Sequence, residues 1–267
     1  MTTAAQPRNN SASLRKALAI LQYLGDDIVG EGRTISQISD ALDLNKSTVT
    51  RLLQPLTETF FVEQVPTSGG YRLSWETARL GQAYLAGVRP SQDMHRLLAD
   101  LSESTAETVH FVRAATPNVV YIDKVDSSHA VRMFSRIGNT QPMYSTSVGK
   151  SILAFDTEEA LRTVVDAGMP RRTDTTITTE AALREELALI RAQGWAIDNV
   201  ENEEGIRCVA APVFDASGGC THAISVSGPL SRVPMSRVPE LSVLVTRTAR
   251  DISRRMGYVA PDPRSNT

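Results

Sequence analysis

The chain has 267 residues, 41% of them apolar and 22% charged, and its 28 Lys+Arg against 30 Asp+Glu give a net charge of −2. That length suits about two domains with a sizeable core, and the charge predicts neither a polybasic coat nor an acidic tail. Membrane, secreted and disulfide-rich classes are set aside: there is no apolar run of ~18 residues, no signal-peptide core in MTTAAQPRNNSASLRK, and only Cys208 and Cys220. A cytoplasmic protein of two domains is the expectation.

Residues 1–12 are small and polar and read as a tail. From Ser13, an N-cap in this reading, Leu14, Ala17, Leu18, Leu21 and Leu24 recur at helical spacing, and Gly25 marks the stop. Thr34 caps a second, short helix with Ile35, Ile38 and Leu42 on its buried side. Asp43-Leu44-Asn45 reads as a turn, because Asp and Asn tolerate left-handed backbone. A third helix follows from Lys46, turning Val49, Leu52, Leu53 and Leu56 inward. Phe61–Val65 and Tyr71–Leu73 flank the turn Thr67-Ser68-Gly69-Gly70 and read as a hairpin. Trp75–Val88 is helical again, and Arg89-Pro90 breaks it at the domain boundary.

The second half mixes elements differently. Met94–Leu101 reads as a helix, and Thr108–Ala114, Val119–Val125 and Ala130–Ile137 as strands. Val148–Phe155, Glu158–Ala167 and Thr179–Gln193 read as helices, the last ended by Gly194. Cys208–Phe214 and Cys220–Ser227 are strands around a turn at 215–219, and Arg237–Met256 is a closing helix. The fold class is α+β with a mainly antiparallel sheet in the second domain. The organisation expected is a tail over 1–12, a first domain over 13–74, a linker helix over 75–90, a second domain over 91–257 and a tail over 258–267.

Three helices and a two-stranded wing form the winged helix-turn-helix layout, in which the third helix enters the major groove of DNA. Its exposed residues here are Lys46, Ser47, Thr48, Thr50 and Arg51, cations and short hydroxyls that bond phosphates and base edges. Gln37 on the second helix and Arg72 in the wing complete the DNA-facing set. The alternative is a protein-interaction module with a solvated face. The 9 basic and 8 acidic residues of positions 1–89 favour that alternative, whereas a dimer presenting two faces offsets it.

The second half offers little catalytic chemistry. Gly149-Lys150-Ser151 looks like the end of a phosphate-binding loop, but Tyr144 stands where that loop needs Gly. No G-x-S-x-G elbow occurs. His95, His110, His129 and His222 show no i, i+4 pairing, so neither metal nor cofactor is expected. Cys208 with His110 or His222 is the one thiol pair to weigh, against its reading as a small core residue. What remains is a binding site. Ser225 and Ser227, two apart in a strand, share a face, and Ser147, Val148 and Gly149 at a helix start offer amides to a carboxylate. The alternative has both serines bonding neighbouring backbone.

Two stretches, Ser13-Leu14-Arg15-Lys16-Ala17-Leu18-Ala19-Ile20-Leu21 and Leu44-Asn45-Lys46-Ser47-Thr48-Val49-Thr50-Arg51-Leu52-Leu53, closely resemble the opening of the IclR family of bacterial transcriptional regulators. Glu107-Thr108-Val109-His110, Tyr121–Val125, Ser147–Lys150, Gly194–Asp198, Glu201–Cys208 and Ala210–Asp215 are similar to that family's effector domain, in the same order. The resemblance spans residues 13–257. It implies a GAF-like second domain that senses a small metabolite, often a carboxylic acid, through Met133, Gln141, Ser147, Val148, Asp198, Ile206, Cys208, Ser225 and Ser227. Asp198 suits an anion only if the ligand also offers a donor or burial keeps the carboxyl protonated. Also implied are a homodimer or tetramer paired through the first helix, a linker helix at Trp75–Val88 and a pseudo-palindromic double-stranded operator. Two residues depart from the family. Pro55 removes a helical amide, and Phe60 stands where Gly would end the helix, so a kinked or early-ending third helix is expected. An enzyme using Cys208 and a His, and a regulator without a ligand, are the competing readings.

Overall fold

The computed structural model describes residues 11–27, 30–88, 90–130, 133 and 135–259. It divides after Gly87 into two compact units. The expected tails lie largely outside the described residues.

The first unit contains α1 (Ala12–Gly25), α2 (Ile35–Leu42), α3 (Lys46–Glu58), β1 (Val62–Gln64), β2 (Tyr71–Leu73) and α4 (Trp75–Val88). Its core is one cluster, Ile20, Leu24, Ile38, Val49, Leu52, Leu53 and Val62, each at most 6% exposed. α1 starts one residue before Ser13, which therefore lies inside the helix rather than capping it, and Gly25 is its last residue, with Asp26 as the cap. Of the apolar residues at helical spacing, Leu24 is buried, with Ile20 beside it in the core, whereas Leu14 and Leu18 are exposed. Thr34 caps α2 in a reciprocal box: its hydroxyl accepts from the Gln37 amide, and the Gln37 side chain accepts from the Thr34 amide. Asp43 takes the left-handed conformation expected of it, with φ 49°.

The expected early end of α3 does not occur. The helix passes through Pro55 to Glu58, and Pro55 lies on its exposed side, where water can solvate the carbonyl that loses its amide partner. Phe60 adopts the left-handed backbone itself, at φ 59°. The Phe61 amide donates to the Leu56 carbonyl at 2.9 Å, and the Phe60 and Trp75 rings pack at a tilt with centroids 5.4 Å apart, so the surroundings hold a conformation that costs about 1–3 kcal/mol alone. The hairpin pairs Val62 with Leu73, and Arg33 adds a bridge to Tyr71 that extends the wing by one residue.

The second unit contains α5 (Gln92–Thr105), β3 (Thr108–Ala115), β4 (Asn118–Val125), β5 (Thr140–Pro142), α6 (Ser147–Leu153), α7 (Glu158–Asp166), α8 (Glu180–Gln193), β6 (Ala196–Asn199), β7 (Ile206–Val213), β8 (His222–Pro229) and α9 (Val238–Arg255). The strands form one six-stranded antiparallel sheet in the order β5-β4-β3-β8-β7-β6. Alternation of side chains sends Val109, Phe111, Ile122, Val209, Ile224 and Val226 to one face, where α5 and α9 cover them. Val112, Val119, Tyr121, Ala196, Ala210 and Ala223 meet α6, α7 and α8 on the other.

The strand expected over Ala130–Ile137 is absent from its described residues; Val131, Arg132 and Phe134 lie outside them. Gly138, at φ 91°, donates its amide to the Tyr121 carbonyl at 2.8 Å, and the chain joins β4 only at Thr140–Pro142. Met133 and Ser135 are buried, so the apolar alternation of this run reports burial rather than a ladder. β5 and β6, neither of them expected as a strand, are the two edges of the sheet.

Candidate functional site

Two surfaces carry the chemistry, one in each unit. In the first, α2 and α3 meet through the Asp43 turn, and α3 presents Lys46, Ser47, Thr50 and Arg51 to solvent, with Thr48 half-buried. The Thr50 hydroxyl donates to the Lys46 carbonyl at 3.0 Å, so its proton is spent inside the helix and only its lone pairs face outward. Gln37 is exposed but engaged in the α2 cap. Arg72 is held by Glu63 across the hairpin at 2.6 Å and also reaches the Gly30 carbonyl at 3.4 Å. Arg72 and Ser74 together keep the Glu63 carboxyl below its usual range. Arg72 is thus a brace of the wing as well as a cation. Lys16, absent from the expected set, lines a polar concavity with Ser39, Asn45, Lys46 and Thr48 beside the start of α3. Its position on α1 hid it, because only the tertiary packing of α1 brings it there.

The second surface is a buried polar cluster on the α6–α8 face of the sheet. The register sets Asp198, Cys208, Ser227 and Thr108 in one row across four strands, and Ser225, His110 and Lys124 in the next. Ile206 shares the Cys208 face. Four expected residues, Asp198, Cys208, Ser225 and Ser227, thus converge, each at most 6% exposed. Ser147 and Val148 are buried on α6, which packs on β7 and β8. Gln141 on β5 accepts from the Asn202 amide at 3.3 Å, and Asn202 in turn accepts from Ser145 at 3.0 Å. Met133, which follows β4 and precedes β5 in the chain, is buried.

The serines do not simply bond neighbouring backbone. His110 Nδ1 lies 3.3 Å from Ser227 Oγ and 3.4 Å from Ser225 Oγ, while its Nε2 lies 2.8 Å from Ser135 Oγ. The Tyr121 ring sits 4.8 Å from the imidazole. Burial, with Lys124 nearby, pushes His110 down to about 3, so the ring is neutral at physiological pH. Burial also pushes the Cys208 thiol well up, with Asp198 adding to it, and the thiol stays protonated. Sequence reasoning placed His110 only as a partner for Cys208. The signal for its present role is register: two residues into β3, it faces the same side as the serines.

Beside this row lies a buried charge cluster. Lys150 is fully buried and donates to Glu201 at 2.6 Å and Glu186 at 3.1 Å. Gly149-Lys150-Ser151 is therefore the anchor of an internal ion pair. Burial raises the Glu201 carboxyl despite Lys150. Asp198 is pushed up to about 7, by burial first and then by Glu201, although its Oδ1 accepts the Glu201 amide at 2.7 Å and the Asn202 amide at 3.3 Å. Thr146 caps α6 by accepting the Gly149 amide at 3.2 Å, so one of the amides expected to be open to a carboxylate is taken. Gly149 has a steric role: a Cβ there would meet Met143 Cα at 2.3 Å. Gly149→Ala is expected to lower stability by about 2 kcal/mol or more, read by thermal or urea unfolding. An unchanged midpoint would show that this packing is loose.

A three-helix unit with a wing, followed by an antiparallel sheet holding a buried polar cluster, defines a DNA-binding regulator with a separate second domain. The comparisons place it further. Residues 13–66 match the IclR helix-turn-helix domain and residues 82–254 the bacterial transcriptional regulator IclR C-terminal domain. The transcriptional regulator KdgR of Escherichia coli is 37% identical over 249 residues, covering 92% of this chain and 93% of the relative. The transcriptional repressor AllR of Salmonella paratyphi A is 33% identical over 261 residues, covering 95% and 93%. The crystal structure of the Thermotoga maritima IclR superposes with a TM-score of 0.71 at 33% identity, covering 92% of this chain and 99% of that one. The chain belongs to the IclR family of bacterial transcriptional regulators.

Proposed function

We propose that this regulator binds a pseudo-palindromic double-stranded operator as a homodimer or tetramer, and that a small carboxylate in the buried cluster modulates its affinity. The observation that carries the reading is the convergence of Asp198, Cys208, Ser225 and Ser227 around a neutral His110 on one face of the sheet. The DNA-reading part is residues 13–74, with contacts from Lys46, Ser47, Thr48, Arg51 and Lys16; residues 75–90 link it to an effector part over 91–257. The arrangement of sheet and helices supports a GAF-like reading of that part. Leu14 at 57%, Leu18 at 49% and Tyr84 at 45% exposure support self-association through α1 and α4, since apolar side chains of this size gain by mutual burial. In this reading the protein acts in the cytoplasm and catalyses no reaction: His110 is engaged with Ser135, Ser225 and Ser227 rather than with Cys208, and burial holds its imidazole down at about 3 and the thiol well up, which makes the one a poor base and the other a poor nucleophile. No described helix is long and apolar enough to cross a membrane.

The test has two arms. Binding to DNA upstream of the protein's own or adjacent genes should fall steeply with salt, and salt-independent or absent binding refutes the DNA assignment. In a thermal-shift screen of small carboxylates, aromatic acids, sugar acids and amino acids, an effector at ~100 times its Kd should add about 2.7 kcal/mol. If no compound shifts the transition, the second domain serves assembly alone.

The pH dependence has a definite sign. A raised carboxyl is neutral below about 7 and ionised above it, so Asp198 repels an anionic effector only on the alkaline side. Carboxylate affinity is expected to weaken as the pH rises through 7, measured by calorimetric titration at pH 6 and pH 8. Tighter binding at pH 8 would mean that ionised Asp198 accepts a donor from the effector.

A further inference from the structure

The hydroxyls of Ser225 and Ser227 have two protons between them, and what those protons do decides which ligand the cluster accepts. Each hydroxyl donates once and accepts twice, whereas a neutral imidazole donates at one nitrogen and accepts at the other. His110 Nδ1 is almost equidistant from the two serine oxygens, at 3.3 and 3.4 Å, and the oxygens are 3.3 Å apart. Two long, equal legs are the geometry of one N–H shared between two acceptors. A lone pair accepting from a single hydroxyl would draw that oxygen in to about 2.8 Å. Such a short contact exists on the other side of the ring, where Ser135 Oγ lies 2.8 Å from Nε2. Ser135 therefore donates to Nε2, and the ring proton sits on Nδ1.

We infer that His110 is a specificity-determining residue: by donating from Nδ1 to both serines it leaves their two protons facing a third oxygen, so the cluster takes a ligand that presents a carboxylate or carbonyl oxygen and refuses one that presents an ammonium group. This rests on the reading of the buried cluster as the effector site. The mutual serine contact, at 3.3 Å, is long enough to be exchanged for shorter bonds to a ligand. Each serine oxygen keeps one further lone pair, but an ammonium group reaching it would lie beside the Nδ1 proton and could make no use of the two serine protons. Cys208, opposite Ser227 in the register, adds only a protonated thiol, and Lys124 is drawn away to the Ser135 carbonyl and Asp126, both at 2.8 Å. His110 is thus the group that sets hydroxyl direction, which neither serine does for itself.

The test uses the full chain labelled with 15N-histidine, in which four imidazoles are followed and His110 is assigned by its loss in His110→Asn. The expected spectrum has His110 neutral with its proton on Nδ1; a proton on Nε2 overturns the proposal. Acetate and methylammonium then serve as minimal probes of opposite sign. Acetate should shift the His110 signals saturably and methylammonium should not; the reverse, or no response to acetate, overturns the ligand class. Asn places an amide N–H where Nδ1 stands, whereas Gln places it near Nε2. His110→Asn should keep acetate affinity within ~3-fold and His110→Gln should lose ~30-fold, and equal losses would make the residue merely structural. An effector from the thermal-shift screen that changes operator binding yet leaves His110 unmoved would refute the site itself, whereas a cationic effector that moves His110 would refute only the specificity rule.

Discussion

Arg51→Ala is expected to weaken operator binding by ~1–3 kcal/mol, roughly 5- to 150-fold, if its guanidinium reads a base edge. Arg51 is exposed in the second turn of α3, one turn beyond the Asp43 turn through which α2 and α3 meet. Anisotropy titrations on the operator and on an unrelated duplex separate the two roles an arginine can play. A base contact costs affinity on the operator alone, whereas a phosphate contact costs both duplexes alike and reduces the salt slope by about one. No loss on either would remove Arg51 from the interface. Thr50→Val should cost much less, because the Thr50 proton is already donated to the Lys46 carbonyl. Arg72→Ala should act on the wing first, because it strands Glu63 and releases the hairpin.

The second large effect is on signalling. Ser225→Ala with Ser227→Ala is expected to abolish the effector response while operator affinity without effector stays within about twofold, since both serines are buried in the second unit and face the cluster. In the unmodified protein the coupling should be ~1–3 kcal/mol, and reciprocity requires operator DNA to change effector affinity by the same factor. Titrating effector with and without operator measures both directions. α4 is the segment through which we propose that coupling runs, because it leads from the wing toward the second unit and leaves Trp75, Leu80 and Tyr84 exposed. A double variant that still responds normally would move the effector site elsewhere. A tight effector that leaves operator affinity unchanged would refute the coupling.

Most elements were legible because each rests on a local signal: helical spacing in α3 and α9, a threonine cap before α2, α7 and α8, and Gly194 in left-handed backbone at the end of α8. The family resemblance was likewise a property of short motifs in order. Local signals failed where neighbours in space outvote them. Phe60 accepts a backbone that its side chain resists because Trp75 and the Leu56 carbonyl hold it there. The run after Ala130 has the alternation of a strand, but its described residues join no ladder.

The same division holds in the candidate site. The sequence alone determined which residue types are present, that Ser225 and Ser227 share a face, and that α3 begins with a hydroxyl and cation surface. Only the tertiary structure decided that His110 stands behind both serines, that Lys150 is neutralised between Glu186 and Glu201, and that Arg72 braces the wing. Periodicity reports which way a side chain points. Strand register and burial set what it meets there, and with that its proton and its charge.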